Sequence, residues 1–168
     1  DRGSSRYSVM REVERSLKRL GTDRIDVYLL HGYDSETPLD ETLRALDDIV
    51  TQGKARYVGC SGFAAWQVAK ALWFQDGLGA DPFICVQKQY SLLYRDIEGE
   101  MFDVVNDQGL GVMAFSPLAV GLLAGHYDPD SVPPVGSPWN QGQRSNRTLA
   151  EALNPETMAV IDAVRDIA

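Results

Sequence analysis

The chain has 168 residues, 44% hydrophobic and 24% charged, a composition that builds an ordinary globular core without help from metals or disulfides. Sixteen Lys and Arg against 24 Asp and Glu leave a net charge of −8 with no basic stripe, which argues against a nucleic-acid or anionic-membrane partner. No apolar run approaches the ~18–20 residues that span a bilayer, and the opening Asp1-Arg2-Gly3-Ser4-Ser5-Arg6 is polar where a signal peptide is apolar, so the expected location is cytoplasmic. Cys60 and Cys85 both sit in apolar stretches and read as free thiols.

In chain order, Met10, Val13, Leu17 and Leu20 form one face of a helix over Ser8 to Leu20, with Gly21 as its stop. Ile25 to His31 is rich in β-formers and apolar on both faces, the pattern of a buried parallel strand. Thr37-Pro38-Leu39-Asp40 reads as an N-cap followed by proline at the first helical position, and Leu39, Leu43, Leu46 and Val50 supply the stripe of a helix that Gly53 ends. The alternation repeats as strand Tyr57–Cys60, helix Ala64 to about Phe74, strand Pro82–Gln87, helix Glu98–Gln108 and strand Gly111–Phe115. Strand starts at 25, 57, 83 and 111 are 32, 26 and 28 residues apart, the period of βαβ units and also of a (β/α) barrel. From Ala124 to about Asn154 the pattern lapses into a long Gly-, Pro- and Ser-rich loop. Asn154-Pro155 then caps a last helix with Met158, Ile161, Val164 and Ile167 on one face.

In a parallel α/β protein the chemistry sits at the C-terminal ends of the strands. Those ends carry His31, Cys60-Ser61-Gly62, Gln87 to Tyr90 and Phe115-Ser116-Pro117. His31 has two readings: a hydrogen-bond donor or acid toward a substrate oxygen, or a loop histidine held by a neighbour. Ser61, Gln87 and Ser116 offer hydroxyl and amide groups and Phe115 an aromatic plane, which together suit a flat polar heterocycle, although strand ends are polar for structural reasons too. Gly109 and Gly111 lie at the opposite end of the sheet and read as a helix stop rather than a phosphate loop. The two His and two Cys lack ligand spacing, so no metal is expected, and neither a P-loop nor a nucleophile elbow is present.

Four stretches in order carry a resemblance. They are Val13-Glu14-Arg15-Ser16-Leu17-Lys18-Arg19-Leu20-Gly21-Thr22-Asp23-Arg24-Ile25-Asp26-Val27-Tyr28-Leu29-Leu30-His31, Gly53 to Ser61, Gln87 to Arg95, and Phe115 to Leu123. They resemble the aldo-keto reductases, in the branch related to potassium-channel β subunits. The resemblance implies an α/β fold of the (β/α)8 TIM-barrel family, here a partial barrel of about four parallel strands, numbers 4 to 7, in a single domain over residues 1–168. It implies NADP(H), with NAD(H) as the less frequent cofactor, and small aldehyde or ketone substrates. His31 matches the histidine that orients or polarises the carbonyl. Ser61 and Gln87 match residues that hold the nicotinamide amide, Phe115 the aromatic that stacks on its ring, and Ser116, Leu118 and Gly121 positions along the pyrophosphate, with the loop at 124–154 folding over it. In the family the proton donor is a tyrosine assisted by a lysine and an aspartate from strands 1 to 3, a region before the matched motifs. Tyr33 has no lysine beside it in sequence to lower a phenol pKa near 10, which makes it a poor substitute.

Departures from the pattern are Gly125-His126-Tyr127 where Gly-Lys-Tyr is common, Gly32-Tyr33-Asp34 where Arg-Pro-Asp is common, and a loop arginine matched by either Arg144 or Arg147. The expectation is therefore a carbonyl reductase segment lacking the Asp, Tyr and Lys of the catalytic tetrad. The alternative is a non-catalytic half-barrel that binds nucleotide or assembles with another half, since open strand edges favour self-association.

Overall fold

The computed structural model describes residues 3–140 and 148–167. They divide into two compact units, one of Asp1–Lys88 with Ile97–Met113 and one of Gln89–Asp96 with Ala114–Ala168. The elements are α1 (Arg6–Leu20), β1 (Ile25–Leu30), α2 (Leu39–Thr51), β2 (Ala55–Ser61), α3 (Ala65–Leu78), β3 (Phe83–Gln89), α4 (Glu100–Gln108), β4 (Gly111–Phe115), α5 (Leu149–Ala152) and α6 (Pro155–Ile167), with 3₁₀ turns at Asp96–Glu98 and Ala119–Gly121. The strands form one sheet in the order β1-β2-β3-β4. Successive parallel strands joined through helices make this the α/β architecture of part of a (β/α)8 barrel.

In the first unit, helices pack α1 on α2, α2 on α3 and α3 on α4. Val13, Leu43, Leu46, Ile49, Val58 and Val68 are fully buried there. On α1 the buried row is Val9, Val13 and Leu17, one i, i+4 ridge, while Leu20, placed on that face from the sequence, is exposed at the helix end. Thr37 does not cap α2. The N-cap position is Pro38, without a side-chain bond, and the Thr37 hydroxyl donates instead to Asp34 Oδ2 at 2.7 Å. Gln75, fully buried, carries α3 past Phe74: its Nε2 donates to Asp81 O at 2.8 Å and its Oε1 accepts from Phe83 N at 3.1 Å. A helix and the start of the next strand are thereby tied by one side chain. Gly59 lets β2 and β3 approach closely, since a Cβ there would stand 2.7 Å from Cys85 O and 2.8 Å from its Sγ.

The strands are not uniformly buried. The sheet-end strand β4 is exposed along its length and β1, at the other end, is mostly half-buried, because each has a neighbour on one side only. In the second unit Ala119, Leu122, Tyr127, Leu149, Ala152, Leu153 and Ile161 form a separate small core. Asn154 Oδ1 accepts from Thr157 N at 2.9 Å and caps α6, while the short helix α5 interrupts the stretch read as loop. Among the described residues no helix is long and apolar enough to cross a membrane.

Candidate active site

Strand register brings three of the expected residues to one edge of the first unit. Ser61 is paired with Gln87 across β2 and β3, and His31 follows Leu30, which is paired with Cys60. Ser61 is buried, Gln87 half-buried and His31 exposed. Among the described residues, none of these three side chains is committed to a hydrogen bond. Gly62 holds the following loop against the histidine backbone: its φ is +70°, and an added Cβ would lie 3.2 Å from His31 O.

His31 opens onto a cleft of about 400 Å³ whose wall includes Ser8 and Glu12 of α1, Tyr28 of β1, and Tyr33 and Asp34 of the loop. Burial, reinforced by the Glu12 carboxylate, pushes the Tyr28 phenol up. Glu12 is itself held low by hydrogen bonding to Arg15. Asp34 organises the loop after His31. Its carboxylate accepts from Ser4 N at 2.7 Å, Thr37 Oγ1 at 2.7 Å and Glu36 N at 2.9 Å, which lowers its pKa to about 2. Tyr33 stands edge-on to Phe63, 5.3 Å between centroids, and Trp66 lies 6.0 Å away. No lysine lines this cleft among the described residues. The cysteines take no part: both are buried and unpaired, and burial pushes the Cys60 thiol up to about 12.

The other expected residues belong to the second unit. Phe115 ends β4 with its ring exposed, and its carbonyl accepts from Tyr90 N at 3.4 Å. The chain then enters a turn with unusual backbone angles, Ser116 at φ 52°, Ala119 at 47°, Val120 at 58° and Gly121 at 90°. Three of these are not glycine and one is β-branched, a concentration of left-handed conformation that proteins keep where a site needs it. The turn is stapled by Ala119 N donating to Ser116 O at 2.9 Å and Gly121 N to Leu118 O at 3.0 Å, with Leu118 exposed. The strain at Ala119 and Val120 escaped the sequence reading because neither residue type signals a left-handed backbone. Arg144 and Arg147 lie outside the described residues. Among those described, no group of His, Cys, Asp and Glu is placed to hold a metal ion.

Four parallel strands alternating with helices define the α/β class of this chain, and comparison with known proteins identifies the family within it. The sequence model of the aldo/keto reductase family matches residues 1–168, and the chain belongs to that family. It is 36% identical over 166 residues to an aldo-keto reductase of Fusarium vanettenii, covering 99% of this chain and 44% of that protein. It is 44% identical over 124 residues to the uncharacterized oxidoreductase YrpG of Bacillus subtilis, covering 74% of this chain and 38% of the relative. Versiconal hemiacetal acetate reductase of Aspergillus parasiticus is 41% identical over 122 residues, 73% of this chain and 35% of its own length. The chain thus spans about two fifths of the length of such curated relatives.

Proposed function

We propose that this chain is the cofactor-holding part of an NADP(H)-dependent reductase of small aldehydes and ketones. The observation that carries the reading is the adjacency of Ser61 and Gln87 beside His31, three polar side chains at one strand edge that have no hydrogen-bond partner among the described residues. A hydroxyl and a primary amide side by side match the donor and acceptor pattern of a carboxamide, so the residues present fit a nicotinamide. Ser61 and Gln87 would hold that amide, Phe115 would lie against the ring, and the Ser116–Gly121 turn would take the diphosphate through Ser116, Leu118 and Gly121. When bound, the reduced nicotinamide supplies a hydride. His31 donates a hydrogen bond to the substrate oxygen and draws electron density from the carbonyl carbon.

The versiconal hemiacetal acetate reductase among its relatives supports a small carbonyl substrate for the whole protein. Titration followed by the fluorescence of NADPH itself tests the cofactor reading. The 168-residue chain is expected to bind, and Ser61→Ala and Gln87→Ala each to weaken binding roughly fivefold, the value of one hydrogen bond. Equal affinities in all three proteins would refute the assignment. Because His31 alone cannot complete proton transfer, the chain by itself is expected to oxidise no NADPH with a panel of aldehydes. Turnover that disappears in His31→Ala would contradict this.

A further inference from the structure

Segment 128–140 is folded on itself by turns: Ser131 N donates to Asp128 O at 2.9 Å, Ser137 N to Pro134 O at 2.9 Å and Asn140 N to Ser137 O at 3.1 Å. Trp139 connects this segment to the left-handed turn. Its indole Nε1 donates to Val120 O at 3.1 Å, and its ring meets that of Tyr127 at 6.4 Å and 73°. Tyr127 in turn lies against Gly121, where a Cβ would stand 3.1 Å from its Cε2, so position 121 has both a positive φ and no room for a side chain.

Val120 O and the N–H of Gly121 belong to one peptide plane. That plane is pinned at both ends, the oxygen by Trp139 and the N–H by Leu118 O at 3.0 Å. A flip of this peptide changes ψ of Val120 and φ of Gly121 and turns the N–H around. Without the indole bond, only the Gly121 N–H bond to Leu118 O would oppose the flip.

We propose that Trp139 is a positioning residue that latches segment 128–140 onto the Ala119–Gly121 turn and fixes the left-handed backbone of the turn that takes a dinucleotide diphosphate. The latch deepens the cofactor reading above and rests on it for its ligand, but its mechanical part stands on the contacts alone. Preorganisation of this kind raises affinity by removing the fraction of molecules with the wrong peptide orientation.

The test uses the full 168-residue chain and Trp139→Phe, which keeps an aromatic ring and loses the donor. Amide hydrogen exchange is expected to quicken about fivefold or more at Gly121 and Leu123, while Ile161 in the same small core keeps its rate. NADPH affinity, followed by the emission of the nicotinamide, is expected to fall roughly fivefold. Unchanged exchange at Gly121 and Leu123 would overturn the latch. Equal acceleration at Ile161 would also overturn it, because Trp139 would then only support the core. Faster exchange confined to the turn with unchanged NADPH affinity would refute the preorganising role. If the unsubstituted chain binds no NADPH, the cofactor reading fails and exchange alone decides whether Trp139 is the latch.

Discussion

Asp34 gathers three donors from two parts of the chain onto one carboxylate, the Ser4 amide from the segment before α1 and the Thr37 hydroxyl and Glu36 amide from its own loop. These bonds favour the charged form, so the folded-state pKa falls from the usual 3.8 to about 2. A depressed carboxylate pKa contributes stability that is complete above the unfolded value and is lost as pH falls from about 4 toward 2. Asp34→Asn is therefore expected to cost about 1 kcal/mol at neutral pH, after allowance for solvent screening, and only a small part of that at pH 2. Urea midpoints at the two pH values check this. A difference that persists undiminished at pH 2 would mean that the side chain acts through shape rather than charge.

At the scale of elements, the alternation of strand and helix was legible because apolar spacing reports which faces are covered. The four strand positions follow from runs such as Ile25-Asp26-Val27-Tyr28-Leu29-Leu30, and Gly109, read as a stop, does end α4. Boundaries set by single tertiary bonds were not legible. Nothing in Trp73-Phe74-Gln75-Asp76 says that Gln75 will reach forward to Asp81 and Phe83, yet that bond pair joins α3 to β3 and carries the helix on to Leu78. Thr37 shows the opposite case, a residue with good cap chemistry that a nearby carboxylate has drawn away. Gln75→Leu keeps the volume but leaves the buried Phe83 N–H and the Asp81 carbonyl without their partner. It is expected to lower stability by roughly 2 to 4 kcal/mol in urea unfolding, and a loss below about 0.5 kcal/mol would show that water replaces the amide.

Across the whole molecule, the candidate site divides by what sequence encodes. His31, Ser61 and Gln87 stand out because strand ends in a parallel sheet are where polar residues need an explanation, and the strand register brings them together. Ser116 was read from its strand end, but Leu118 and Gly121 were legible only through family resemblance, since the backbone strain falls on Ala119 and Val120, and Trp139 carried no signal until its bond to Val120 was seen. On the proposed reading, the C-terminal edge of this sheet and the turn after β4 hold a nicotinamide dinucleotide. Its most direct test is to add NADP⁺ to the ¹⁵N-labelled chain and map the backbone amide shifts. Changes are expected at His31, Ser61, Gly62, Gln87 and Phe115–Gly121, with Pro117 lacking an amide, and none at the N-terminal strand ends near Ala55 and Gly111. An unchanged spectrum at millimolar NADP⁺, or shifts confined to the N-terminal ends, would contradict it.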